Sequence, residues 1–315
     1  MAELVTFGDT ALQLSPPGNE RFATARSVRT HAEGIESGAA VAGAALGGGS
    51  TWVSRLPKSP FARRILGQLR QYGIETEIAW ADADRTRQGL VFRDPGRQPR
   101  PGSVRYDYGD TAIASVNPGD LPIELIQNAG AALSGLSTAV LSEQAESTTQ
   151  AMLRAARGSD VTTAVALDYR PGLESAEGYR EAFNSLVTDF DLFVASESGA
   201  ETVFETTGQP RELAHTIAAE HDLKTVVITS SDGGVAALRD TPGTNVVHGR
   251  DGIETETVDT TGRQAAFVGT LLGQLIDGAE LPEALTYGVA ASALACTVPG
   301  PLLTATGEEI EHLVD

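Results

Sequence analysis

The chain of 315 residues carries 42 acidic and 23 basic side chains, a net charge of −19, which excludes a nucleic-acid binder because phosphate backbones need a cationic surface. Apolar residues make up 41% of it, enough for a large core, yet no apolar run reaches the ~20 residues that span a bilayer. Cys296 is the single cysteine, so neither a disulfide framework nor a thiolate metal site is available. A buried thiol in a reducing cytoplasm is the expectation.

Only two of the basic residues, Lys58 and Lys224, are lysines. Acidic excess with arginine replacing lysine points to a salt-rich cytoplasm, where screening suppresses self-repulsion. Met1-Ala2-Glu3-Leu4 has neither the basic region nor the apolar stretch of a leader, and a cytoplasmic location is expected.

In chain order, Leu4-Val5-Thr6-Phe7 reads as a strand followed by Gly8-Asp9. Residues 37–46 are small and apolar and end at Gly47, predicting a buried helix closed by a glycine. A strand over 50–54 and an amphipathic helix over 60–72 follow, the helix ending at Gly73. Further apolar strands are expected around 131–135, 163–168, 192–194 and 225–229, separated by helical segments. Short apolar strands alternating with helices predict a mainly parallel sheet covered on both faces, with ligands at the carboxyl ends of its strands. One region breaks this rhythm. Residues 88–93 and 103–108 alternate like exposed strands around the Pro/Gly-rich segment 94–102, predicting a hairpin outside the main sheet, joined by residues near Leu12 to Leu14. Such a projection serves as a lid, a dimer contact, or both.

Near the C-terminus stands Val258-Asp259-Thr260-Thr261-Gly262-Arg263-Gln264-Ala265-Ala266-Phe267-Val268-Gly269. It resembles D-T-T-G-A-G-D-A-F-V-G, the signature of the ribokinase-like (PfkB) sugar kinases. Other segments resemble the 2-keto-3-deoxygluconate kinase branch: Gly8 to Pro17 is similar to G-E-x-M-L-R-L-S-P, Glu36 to Ala42 to A-E-S-N-V-A-V-A, and Asp168-Tyr169-Arg170-Pro171 to N-Y-R-P. Residues 293–300 resemble the family's adenine-side helix and loop. The resemblance runs end to end. It implies one doubly wound α/β domain over residues 1–315, with helices on both faces and a small β lid from about 10–30 and 85–113. It also implies transfer of a phosphoryl group from ATP, with Mg²⁺, to a sugar or sugar acid, and a homodimer paired through the lid.

Carried over residue by residue, the resemblance assigns Asp9, Gly34, Gly38, Tyr106, Tyr108 and Arg170 to the acceptor. Arg170 is the remaining partner for a carboxylate, or else pairs with Asp168. The resemblance assigns Ala195, Glu197, Thr229, Ser231, Gly234 and Gly262 to the nucleotide side. The catalytic turn is Gly262, Arg263, Gln264 and Ala265, with Ala265 where the family holds its aspartate base. A methyl group accepts no proton, and losing a general base costs on the order of 10²–10⁴ in rate. Gln264 adds a side chain where the family has a phosphate-approaching glycine, and Arg263 offers a cationic fork or forms a surface ion pair. Gly38 replaces a sugar-binding asparagine, Tyr108 a lid arginine, Ala195 and Ser198 the magnesium-associated N-x-x-E, and Ser231 the first glycine of a nucleotide loop. Asp232 sets a negative charge beside an anionic ligand. The expectation is therefore a sugar-kinase homologue impaired in catalysis; the alternative is an active kinase with an altered acceptor or a relocated base. His215 and His221 lie six apart, off a common helix face, and are not expected to ligate metal.

Overall fold

A computed structural model describes residues 3–241 and 244–314. It begins with strands β1 (Glu3–Phe7), β2 (Ala11–Ser15) and β3 (Arg29–Glu33), then helix α1 (Ile35–Ala44), β4 (Gly49–Pro57), α2 (Pro60–Arg70) and β5 (Glu75–Ala81). Next come β6 (Leu90–Asp94), β7 (Ser103–Asp107), α3 (Ile123–Gln127), β8 (Ala131–Gly135), α4 (Leu136–Ala139), α5 (Glu143–Arg157) and β9 (Thr162–Leu167). The chain continues through α6 (Ala176–Leu186), β10 (Leu192–Ser196), α7 (Glu197–Phe204), α8 (Pro210–His221), β11 (Thr225–Thr229), β12 (Val235–Thr241) and β13 (Thr244–Arg250). It closes with α9 (Arg263–Ile276), α10 (Leu281–Ala295) and α11 (Gly307–Val314).

The nine-stranded sheet runs β13-β12-β11-β10-β9-β8-β1-β4-β5. From β11 to β5 every pairing is parallel, and β12 and β13 add an antiparallel edge. Strand β8 and the middle of β9 are buried along their length, as strands covered on both faces must be. One face carries a cluster around Phe183, whose ring meets Phe193 and Phe204 edge-on with centroids 4.9 Å apart. The other packs against Phe267, Val268 and Leu271 of α9. Because β1 lies between β8 and β4, the strand order reverses there, and a crevice opens at the carboxyl ends.

The second sheet has the order β3-β2-β6-β7. The predicted hairpin is β6 with β7, pairing Leu90 to Asp107, and β2 joins it in parallel with Leu12 opposite Leu90. Strand β3 extends past residue 30 to Glu33 and leads straight into α1, tying lid to core. Helices α1 and α9 cross very closely. A Cβ on Gly269 would lie 2.1 Å from the carbonyl oxygen of Ala39, so only glycine fits there. No helix among the described residues is long and apolar enough to cross a membrane.

Candidate functional site

Helices α2, α5, α6 and α7 begin with a serine whose hydroxyl accepts from a first-turn amide. Helix α9 begins at Gly262 with no side-chain cap. In its first turn the Arg263 N–H donates to the Thr260 carbonyl at 3.2 Å, which leaves the Gln264 and Ala265 N–H groups to meet an anion, supported by the helix dipole. Three successive residues at this end divide two cavities. Gln264 and Ala265 line one of about 180 Å³, under the lid, with Glu33, Gly34, Arg93, Tyr106, Asp168, Arg170 and Ser196. Arg263 lines another of about 480 Å³ with Ser231, Asp232, Asp251, Glu254 and Ser292.

The smaller cavity rests on buried charge. The Arg170 guanidinium lies 2.9 Å from Asp168 Oδ2 and 3.4 Å from the Tyr108 hydroxyl, and sits 5.9 Å from the Tyr106 ring centre. Asp168 is fully engaged: Oδ1 accepts from the Ser137 amide at 3.1 Å and Oδ2 from its hydroxyl at 2.5 Å. Beneath it, Tyr108 donates to Asp9 Oδ2 at 2.5 Å. Burial pushes the Asp9 carboxyl up to about 6, although Tyr108 and Arg170 pull the other way. Burial and the nearby Asp168 charge push Glu36 to about 8, so it is largely protonated at neutral pH. Its Oε1 accepts from Thr138 Oγ1 at 2.6 Å and from the Gly135 amide at 3.0 Å. Asp168 is also raised by burial, against the pull of Arg170. For Arg170, burial works against the charge, but Asp168 and Tyr108 outweigh it and raise the group further.

Of the residues assigned to the acceptor, Gly34, Tyr106 and Arg170 line this cavity together with Gln264 and Ala265. Asp9 and Tyr108 lie behind its wall, positioning Arg170 rather than facing the space. Gly38 is not in the lining. An added Cβ there would stand 2.7 Å from the Cβ of Ala265, so the two small residues pack on each other. The Arg170–Asp168 pairing, one of two readings open from sequence, is present alongside the cavity-lining role. Gln264 turns inward, donating from Nε2 to the Leu167 carbonyl at 3.0 Å.

On the other side, Arg263 forms no ion pair among the described residues. It donates to the Ser231 carbonyl at 2.9 Å and to Cys296 Sγ at 3.2 Å, and it lines the larger of the two cavities. Ser231 lines that cavity, while Gly234 donates to Asp232 Oδ1 at 2.9 Å. The Ser230 hydroxyl and that amide hold Asp232 below the usual carboxylate range. Ala195 is fully buried in β10, its carbonyl accepting from Thr229 Oγ1 at 3.4 Å. Glu197 sits in the first turn of α7, next to the cavity-lining Ser196. Among the described residues no group of three or more His, Cys, Asp or Glu is placed to hold a metal ion. The sequence motifs assign no acceptor or nucleotide role to Glu33, Arg93, Asp168 or Glu36. Glu33 meets Arg93 across 60 residues and Glu36 meets Thr138 across 102, and the signals available were an acid directly before Gly34 and Asp168 two residues before Arg170.

A family model described as pfkB family carbohydrate kinase matches residues 1–306. The chain is 40% identical over 313 residues to a 2-dehydro-3-deoxygalactonokinase of Haloferax volcanii, covering 99% of this chain and 96% of that protein. Among solved structures it is similar to the 2-dehydro-3-deoxygluconokinase of Thermotoga maritima, with a TM-score of 0.89, 26% identity, and coverage of 99% and 98% of the two chains. A candidate ribokinase II from E. coli, solved in complex with ATP and Mg²⁺, shares the fold at a TM-score of 0.85 and 16% identity, covering 100% of this chain and 99% of that one.

Proposed function

The chain belongs to the pfkB family of carbohydrate kinases, and we propose that it transfers the γ-phosphoryl group of ATP to a hydroxyl of a 2-keto-3-deoxy sugar acid. One observation carries this reading: three consecutive residues at the uncapped start of α9 face two separate cavities, Arg263 one and Gln264 and Ala265 the other. Phosphoryl transfer needs a donor and an acceptor meeting at an anion-stabilising point, and positioning does most of the work.

The acceptor's carboxylate is met by Arg170, whose planar fork suits bidentate pairing and is held from behind by Asp168 and Tyr108. Tyr106 forms a wall beside it. The relatives named for 2-dehydro-3-deoxy sugar acids support this acceptor class. On the donor side, Arg263 and the free amides of the α9 turn fit the phosphates of ATP. Thr229, Ser231 and Gly262 shape the surrounding cleft. Glu197, one residue from the family's magnesium-associated position and beside the cavity-lining Ser196, would be the acid to hold Mg²⁺, which would neutralise charge developing on the transferred group.

Ala265 favours a second reading, an impaired homologue that binds the sugar acid without phosphorylating it. Labelled ATP with Mg²⁺, offered with 2-keto-3-deoxygluconate and 2-keto-3-deoxygalactonate, decides between them. Transfer to either supports the kinase. Calorimetric binding without transfer supports the impaired homologue, and neither binding nor transfer overturns both. The reading includes a homodimer paired through the open edges of the lid at β3 and β7, tested by light scattering at high salt.

A further inference from the structure

Ala265 leaves the acceptor cavity without a base at the turn, and the cavity's lining offers two carboxylates, Asp168 and Glu33. Asp168 has no oxygen to spare: Ser137 and Arg170 take both. Glu33 differs. Its Oε1 accepts from Arg93 at 2.9 Å, while its Oε2 is buried and has no hydrogen-bond partner among the described residues. The residue is only 7% exposed. A buried carboxylate oxygen left open costs free energy unless a donor completes it, and the residue that carries it lines the acceptor cavity.

We infer that Glu33 is the general base of the phosphoryl transfer, moved from the first turn of α9 to the junction between lid strand β3 and α1. This rests on the kinase reading above. As the acceptor oxygen bonds to the γ-phosphorus of the nucleoside triphosphate, its O–H bond breaks and the proton passes to Glu33 Oε2. The bond from the γ-phosphorus to the β–γ bridging oxygen breaks, and the nucleoside diphosphate leaves with that electron pair. The proton is released to solvent once the product departs. Arg93 keeps Oε1 occupied, so Oε2 is the oxygen left without a partner among the described residues.

The charged and titratable groups around Glu33 are Arg93 from β6, Arg170 beyond β9, Asp9 after β1, Asp168, His31 on its own strand and Tyr106 from β7. A base of this kind contributes about 10²–10⁴ in rate.

The test is Glu33→Gln, with Glu33→Asp beside it, in the full-length protein, with labelled ATP–Mg²⁺ and 2-keto-3-deoxy sugar acids. Glu33→Gln still accepts from Arg93, and thermal melts check that it folds. The expected result is a kcat loss of about 10²–10³, a calorimetric acceptor Kd changed far less, and disappearance of the acidic limb of kcat/KM. Glu33→Asp keeps that limb at reduced rate. If Glu33→Gln keeps wild-type kcat, or loses only acceptor affinity while the acidic limb persists, the base lies elsewhere. A wild-type protein that phosphorylates no acceptor overturns the kinase reading itself, and the base with it, which is a different outcome from an active Glu33→Gln.

Discussion

The two sides of the α9 turn are built on different principles. The acceptor side is a closed stack of charge: Arg170 on Asp168, Tyr108 on Asp9, and Glu36 on Thr138 and Gly135, nearly all out of water. The donor side is open, with Arg263 held by a carbonyl and a sulfur among Asp232, Asp251 and Glu254. Buried groups are fixed by what they would lose if moved; exposed ones are fixed weakly and respond to ions and ligands. On the proposed function the acceptor side is therefore preorganised for its anion, and it ties affinity to folding. The donor side trades in screened charge, so changes there should alter affinity with little effect on stability.

The largest expected effect comes from breaking the stack. Arg170→Met leaves Asp168 buried beside Glu36 without its cation, and removing one member of a buried pair costs about 3–5 kcal/mol. Urea denaturation should show that loss, together with a KM for the sugar acid raised by roughly a hundredfold, the scale of a lost charge-assisted pair. A stable variant with unchanged KM would place the carboxylate elsewhere.

Next is the pH response of Glu36. Its carboxyl moves from 4.5 unfolded to about 8 in the folded protein, through burial first and the Asp168 charge second. A raised carboxyl binds its proton more tightly when folded. Its contribution is complete below pH 4.5 and is lost as pH rises towards about 8. Asp9 acts in the same direction between 3.8 and about 6. Each tenfold gain in proton affinity on folding is worth about 1.4 kcal/mol, so the loss amounts to a few kcal/mol. Melting temperatures at constant high salt should fall between pH 5 and pH 8.5 in the wild type and fall less in Glu36→Gln, which is neutral throughout. Parallel curves would show that Glu36 does not carry the effect.

The same contrast explains what was legible in the sequence. The parallel strands announced themselves as short apolar runs, and the hairpin by alternation around Pro and Gly, because those features are local. The altered turn was visible as Arg263-Gln264-Ala265 in an otherwise intact frame. Of the buried stack, only the Arg170–Asp168 pairing was open to the sequence. Arg93 meets Glu33 across 60 residues and Thr138 meets Glu36 across 102, and no spacing rule encodes contacts made only after the sheet has formed. Gly38 shows the same limit: the sequence reveals a missing side chain, but not that Ala265 fills its place.

The smallest effect belongs to the donor side. Arg263 donates to the Ser231 carbonyl at 2.9 Å and faces a cavity holding three carboxylate residues. On the proposed function its remaining donors would meet phosphate oxygens of ATP, and a charge-assisted hydrogen bond contributes about 1.5–3 kcal/mol where it is sheltered. Solvent and the neighbouring acids reduce that, so Arg263→Ala should raise the KM for ATP by about 5–10-fold, near 1 kcal/mol. The acceptor KM should hold and the melting temperature should barely move, since the hydrogen bonds of Arg263 among the described residues go to the Ser231 carbonyl and Cys296 Sγ and not to the stack. Added salt should shrink the difference between variant and wild type, because screening weakens the very interaction removed. If instead the acceptor KM rises with it, Arg263 also governs Gln264 and the smaller cavity, and the two sides of the turn are coupled through the start of α9.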